Sequence, residues 1–221
     1  MSKRLYIIVE GQTEQEFVKT VLSPYFQTKG IYDVRPIRIR TSKTSKGGFV
    51  NYTHLKNDVK RFLNETSSRD IVVSTFVDFF RIPNNVPGWD LAVTKNSHSK
   101  QADTIQAAIG NDISDCRFVP YIQLHEFEAL LFSNSNGFAE YFDSSQYQDA
   151  MKIIEEFPNP EDINDNPTTA PSKRLLKIKP NYQKVLEGNL IAIEVGINDM
   201  LKRCPRFAAW VNKLVEICGK N

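Results

Sequence analysis

A clear excess of charge of either sign is missing from this chain. Its 221 residues carry 28 Lys+Arg against 26 Asp+Glu, a formal net charge of +2. That excludes a basic coat for nucleic acid, so any grip on a phosphate backbone must come from local patches or from a partner. Cysteine is scarce. Cys116, Cys204 and Cys218 stand far apart, which excludes a disulfide framework and a zinc-binding spacing. Long hydrophobic runs are absent as well. The first apolar run lies behind Met-Ser-Lys-Arg and stops at Glu10, too short for a signal-peptide core, and nothing later reaches membrane length. The expectation is a cytoplasmic protein with no membrane association. A P-loop is missing: Thr41 to Gly48 reads Thr-Ser-Lys-Thr-Ser-Lys-Gly-Gly, without the Gly-x4-Gly-Lys-[Ser/Thr] spacing. There is no internal repeat and no low-complexity tract. No tyrosine stands out as a strand-passage nucleophile.

What is present is organised around Tyr6-Ile7-Ile8-Val9-Glu10-Gly11-Gln12-Thr13-Glu14. The apolar run suits a buried parallel strand. It ends at an acid and a glycine, and a helical pattern opens at once. Thr13 with Glu16 predicts a capping box, and Phe17, Leu22 and Phe26 an apolar stripe running to about residue 26, with Pro24 as a kink or late break. Residues 33–40 read as a second strand, placed at an edge by Pro36. A helix is expected from about Tyr52 to Leu63. Ile71 to Val77 is the strongest strand and ends in Asp78. A short helix over residues 100–109 and a fourth strand over 117–124 follow, the latter running into His125-Glu126-Phe127-Glu128. The fold class is therefore α/β, a mainly parallel four-stranded sheet flanked by helices, over residues 1–135. Residues 136–221 read as a helical extension on that core. They show an amphipathic run over 138–157, a proline-rich connection to Pro171, and a helical start at Ser172-Lys173-Arg174. A short helix over 180–186 closed by Gly188 comes next, and then helices over 191–203 and 207–218.

Acids at three strand ends share one edge of such a sheet, where open α/β folds bind ligands. Like charges in one cleft raise each other's pKa, and hard oxygen donors favour Mg²⁺ or Mn²⁺ as the compensating ion. Glu10, Asp78 and Glu126 are the candidate ligands, with Glu126 preferred to Glu128 because it is nearer the strand end. Glu14 holds a second ion, orients water, or simply favours the helix N-terminus. Lys173 and Arg174 are the cations available for phosphate from the helical half. Arg38, Arg40 and Lys43 form a phosphate-binding patch, or else part of a plain surface loop. His98, in a polar loop, is read as solvated.

The chain resembles the Toprim fold, the topoisomerase–primase module. In that family a glutamate ends the first strand, acids end the third, and magnesium is bound. Val9-Glu10-Gly11 implies that Glu10 is the general acid/base or first metal ligand. Glu10 and Glu14 are similar to the Glu-x-x-x-acid pair of the overcoming-lysogenization-defect nucleases, and Asp78 to the first acid of Asp-x-Asp. The closer resemblance is to the family called domain of unknown function 4276. It rests on residues 9–14, 77–80, 125–132, 172–174 and the Cys-Pro-x-Phe-x-x-Trp of 204–210. The resemblance implies a nuclease or phosphodiesterase on DNA or RNA beside an ATPase partner in anti-phage or mobile-element islands. One departure is plain: Phe79-Phe80 follow Asp78, so the second acid of Asp-x-Asp is missing. The alternative is a non-catalytic subunit that binds nucleic acid or nucleotide for an ATPase complex. The number of short helices after Pro171 predicts a homo-oligomer or such a complex.

Overall fold

A computed structural model describes residues 3–40, 49, 51–65, 70–163 and 168–219. Strand β1 (Arg4–Val9) is followed by helix α1 (Gln12–Phe17), a π-helical stretch Val18–Leu22 and helix α2 (Ser23–Thr28). The three form one continuous rod. Pro24 does not end it, because it falls in the first turn of α2, and just before it the Ser23 N–H reaches back five residues to Val18 O. The wider π turn accommodates the residue that has no N–H to donate. The expected capping box is corrected: the N-cap is Gly11, whose N–H donates to Glu14 Oε2 at 2.8 Å. Glu16 instead pairs with Lys19 Nζ at 2.8 Å.

Strand β2 (Val34–Arg38) leads through residues 41–48, which lie outside the described residues, to helix α3 (Tyr52–Asn64) and strand β3 (Ile71–Asp78). Helices α4 (Trp89–Ala92) and α5 (His98–Ile113) precede two short strands, β4 (Phe118–Val119) and β5 (Ile122–Gln123). The sheet order is β2-β1-β3-β4, with β5 also on β3, and every pairing is parallel. Pro36 sits in the edge strand, as its missing N–H requires. The single fourth strand expected over 117–124 is broken in two at Pro120. There the side chains of β3 replace the ladder: Ser74 Oγ donates to Val119 O at 2.6 Å, and Thr75 Oγ1 both donates to Tyr121 O and accepts from Tyr121 N at 2.8 Å.

Alternation along the strands divides the core. Leu5, Ile7, Val9, Val72 and Phe76 face one apolar cluster, while Tyr6, Ile8, Val73 and Val77 face the other. The second is closed by α3 and α5. The first is closed by the α1–α2 rod and by the chain after residue 135. That half comprises α6 (Asn136–Tyr141), α7 (Ser144–Glu156), α8 (Pro171–Ile178), α9 (Leu186–Val195), α10 (Ile197–Arg203) and α11 (Pro205–Cys218). The helix expected over 138–157 is split because Asp143 caps α7, exchanging hydrogen bonds with Gln146. The glycine expected to close a helix, Gly188, lies inside α9; the break falls at Gly196, at φ +74°. The Cys-Pro-x-Phe-x-x-Trp segment packs against the sheet. Trp210 stacks on Tyr121 at 4.5 Å and on Phe76 at 5.4 Å, and its Nε1 donates to Ser74 Oγ at 2.8 Å. The helical half therefore shares its core with the sheet.

One glycine tests this packing. A Cβ on Gly137 of α6 would stand 2.6 Å from Ile191 O and 2.8 Å from Ile191 Cα, both backbone atoms of α9. Gly→Ala inside a helix ordinarily stabilises, by up to about 1 kcal/mol. Gly137→Ala is expected to destabilise by about 1–3 kcal/mol through overpacking. Urea unfolding gives the sign directly, and a stabilised variant would show that α6 and α9 are not so closely packed.

Candidate active site

Strand β1 delivers Glu10 to the C-terminal edge of the sheet, one residue past its end. Its half-buried carboxyl accepts hydrogen bonds from the backbone of Phe49 and Asp78. Four residues on, Glu14 folds back onto Gly11. A Cβ on Gly11 would lie 3.1 Å from Glu14 Oε2, so the glycine leaves room for that contact. Asp78, the last residue of β3, is buried, and its Oδ1 accepts the Phe127 N–H at 3.1 Å. The chain can reach Asp78 because His125 adopts φ +66°, in the left-handed region. This turn follows two bonds that extend the sheet beyond its strands, Phe79 N–H to Gln123 O at 2.8 Å and Phe80 N–H to His125 O at 2.9 Å. Glu128, in the 3₁₀ turn Phe127–Ser133, is fully buried.

Into these carboxylates comes Lys184, from the irregular connection between α8 and α9. Its Nζ lies 3.1 Å from Glu128 Oε2 and 3.9 Å from Glu14 Oε1. Burial raises the Glu10 carboxyl above its usual range, and repulsion from Glu14 adds to it. Burial lifts Asp78 well above its usual range; Glu14, Glu10 and Glu128 repel it further, against the attraction of Lys184. Glu128 is pushed up to about 7 by burial, which outweighs Lys184. Burial alone would lower Lys184, but Glu128, Asp78 and Glu14 together raise it. Among the described residues the cluster thus sets several carboxyl groups against one lysine.

The expected residues are only partly assembled. Glu10, Glu14 and Asp78 come together. Glu126 stays within electrostatic reach of Glu128 and Lys184, but its carboxylate is taken up at the start of α8: its Oε2 accepts the Ser172 N–H at 2.9 Å and its Oε1 the Ser172 hydroxyl at 3.0 Å. The acid that enters is Glu128, because the left-handed turn at His125 and the tight turn after it reverse the choice that an extended strand would make. Lys173 is exposed on α8. Arg174 is directed at α7: Nε donates to Thr169 O, Nη1 lies 3.8 Å from Glu156, and the guanidinium covers the Phe157 ring. Arg38 is exposed on the edge strand, and Arg40 pairs with Asp58 at 3.8 Å. Lys43 lies outside the described residues. His98 is exposed, with its ring 5.2 Å from that of His125. Lys184 was missed, since Asn-Tyr-Gln-Lys-Val carries no motif or periodicity that marks it. Glu128 was visible as the alternative to Glu126.

The profile of the family described as Domain of unknown function (DUF4276) matches residues 9–215. The chain belongs to this family. The matched residues include the Val9–Glu14 and His125–Glu128 segments, which supply Glu10, Glu14 and Glu128. Among solved structures, the C-terminal region of the Burkholderia pseudomallei OLD protein is similar over 98% of this chain and 97% of its own, at 15% identity and a TM-score of 0.45. No curated protein sequence matches the chain. No helix among the described residues is long and apolar enough to cross a membrane.

The donor chemistry fits a hard divalent cation. Every candidate donor is a carboxylate oxygen, and both oxygens of Glu128 are buried, Oε2 beside Lys184 Nζ at 3.1 Å. The spacing is another matter. Among the described residues no three His, Cys, Asp or Glu side chains stand together as a ligand set, and an ammonium lies among the acids instead.

Glu128 makes the cluster's charge measurable as stability. Its folded pKa of about 7 lies above the ordinary carboxylate value of 4.5, so above pH 4.5 the unfolded chain binds fewer protons than the folded one. This group therefore costs stability increasingly from about pH 4.5 to about 7, and by a constant amount above. Glu128→Gln removes the effect. Thermal melts across this window should show the variant gaining on wild type as pH rises, then running parallel. A constant difference from pH 4.5 to 8 would mean that Glu128 does not titrate as its burial requires.

Proposed function

We propose that this chain is a Mg²⁺- or Mn²⁺-dependent nuclease or phosphodiesterase acting on DNA or RNA. The observation that carries the reading is the convergence of Glu10, Glu14, Asp78 and Glu128, from three separate chain segments, on one sheet edge around Lys184. Packing alone does not favour so much buried charge in one place. Glu10 and Asp78, at neighbouring strand ends, would hold the ion with Glu14 or Glu128. When bound, a divalent cation supplies a Lewis acid for the phosphoryl oxygen and lowers the pKa of water. Glu10, at the end of β1, is also the group placed to take a proton from an attacking water. Glu14 holds the Gly11 N–H and so keeps the start of α1 beside the reacting centre.

The substrate needs more positive charge than this edge offers, and the net charge of +2 supplies little. An ATPase partner or a second copy of the chain is the proposed source, within a cytoplasmic anti-phage system. Exposed Leu186 and Ile193, two turns apart on the outer face of α9, support a protein partner. A second reading is a non-catalytic nucleic-acid- or nucleotide-binding subunit. It is favoured by one observation: the residue two after Asp78 is Phe80, so the second strand-end acid is absent. The deciding assay incubates purified protein with Mg²⁺ or Mn²⁺ and labelled DNA and RNA, alone and with the product of a neighbouring ATPase gene. Metal-dependent cutting supports the first reading. Binding without cutting in every condition supports the second.

A further inference from the structure

Resting on the reading that this chain acts on DNA or RNA, but on neither a metal nor cutting, we propose that the crossover after Asp78, residues 79–101, is the surface that holds an unpaired polynucleotide strand beside the carboxylate edge. Charge is the first observation. The segment carries Arg81, Lys95 and Lys100 against the single acid Asp90, an excess as large as the formal net charge of +2 of the whole chain. Arg81 and Lys100 are exposed and Lys95 is half-buried. Among the described residues none of the three forms an ion pair. Lys95 and Lys100 line one surface hollow with Asn96 and Asp103, and the Asp103 carboxylate is taken by Arg206. The crossover is thus this chain's own share of the positive charge that the sheet edge lacks.

The backbone at Arg81 is the second observation. Phe79 O accepts the Ile82 N–H at 3.1 Å and closes a turn in which Arg81 adopts φ +63°. That position favours glycine, and a long side chain there is strained. Strain of this kind gathers where a side chain is held for use. Here it lays the guanidinium over the half-buried Phe80 ring at 5.1 Å, with Arg81 on the solvent side. Nucleic-acid bases stack on aromatic rings and on guanidinium planes, whatever their sequence. Bases in a duplex already stack on one another, so such a platform selects an unpaired strand. The pair stands next to the acids, because Phe80 is the second residue after Asp78 and its N–H donates to His125 O at 2.9 Å. The far end of the crossover returns to the same place: the His98 ring lies 5.9 Å from that of Phe79 and 5.2 Å from that of His125. Arg81 and Lys100 flank this meeting point, each two residues along the chain from it.

The test is fluorescence anisotropy on the full chain in EDTA, with one labelled oligonucleotide as single-stranded DNA, as single-stranded RNA and as duplex DNA. Wild type should bind a single strand more tightly than the duplex. Arg81→Gly should weaken single-strand binding about tenfold, the effect of losing one stacking contact, yet melt no lower than wild type, because glycine suits φ +63°. Phe80→Ala should weaken binding by a similar factor. Lys95→Gln with Lys100→Gln should reduce the slope of log affinity against log salt by about 1.4, about 0.7 for each phosphate contact on a single strand. Lys202→Gln removes a charge from the exposed side of α10 and should leave affinity and slope as in wild type. If Phe80→Ala does not fold, Arg81→Gly and the lysine pair decide the matter. Wild-type affinity in both of these, an equal loss in Lys202→Gln, or tighter binding of the duplex than of either single strand overturns the proposal. So does a wild type that binds no single strand. Metal-dependent cutting by the same preparation would then show that the nuclease reading stands without it.

Discussion

Glu10→Gln should reduce cleavage by about 100-fold or more, the usual cost of losing a metal ligand or general base, while leaving the thermal melt unchanged or raised. The two halves of this expectation have one cause. The Glu10 carboxyl is held at the end of β1 by the backbone of Phe49 and Asp78, and both burial and Glu14 oppose its charge. Glutamine keeps the length, the shape and one acceptor oxygen. It removes the charge that chemistry needs and the fold resists, so activity and stability move in opposite directions. Glu14→Gln is the internal comparison. Its side-chain oxygen can still accept the Gly11 N–H now held at 2.8 Å. A small loss of rate means that Glu14 serves the helix start, and a loss equal to that of Glu10→Gln means that it shares in holding an ion. The measurement is a single-turnover rate at saturating Mn²⁺ beside a melt of each protein. Wild-type cutting by Glu10→Gln would remove Glu10 from the chemistry.

Asp78 separates charge from architecture more sharply. Asp78→Asn is expected to lose most Mn²⁺ binding, at least about tenfold, and to melt higher than wild type near neutral pH. The sign follows from burial. A carboxyl whose folded pKa is raised, as here, costs stability that appears once pH passes the unfolded value and grows until it passes the folded one. The amide has no charge to bury and still offers Oδ1 to the Phe127 N–H now 3.1 Å away. Asp78→Ala loses the charge and the acceptor together. It leaves that buried N–H unpaired, at a cost of about 1–3 kcal/mol, and it should bind as little Mn²⁺ as Asp78→Asn but melt lower. Calorimetry with Mn²⁺ and paired melts at pH 7 test both variants. Wild-type affinity in Asp78→Asn would exclude this carboxylate as a ligand.

Much of the frame was legible because it rests on local pattern. β1 and β3 are largely apolar runs closed by acids, a form suited to strands buried on both faces, and Pro36 marks an edge for want of an N–H. The errors came where side chains overrode pattern. One strand was expected over residues 117–124, yet Pro120 splits it, and Ser74 and Thr75 complete the pairing. Gly188 looked like a helix stop. It lies within α9 because a Cβ there would stand 2.5 Å from the Tyr182 hydroxyl, a constraint from packing rather than from chain reversal.

Sequence by itself placed Glu10 and Asp78 at the ends of two buried strands, and so on one edge of a parallel sheet; that β1 and β3 are neighbours was decided by their pairing. In a parallel sheet two neighbouring strands of matched direction must end on the same edge. Sequence could not decide between Glu126 and Glu128, because that choice depends on the backbone sign at His125, and a histidine enters the left-handed region more readily than most residues yet still only in a minority of cases. Nor could it find Lys184. That lysine reaches the acids from a connection more than a hundred residues beyond Asp78, and only the docking of the helical half onto the sheet brings it there. Charge balance in a buried cluster is a property of the folded surroundings, set by which groups lose water together.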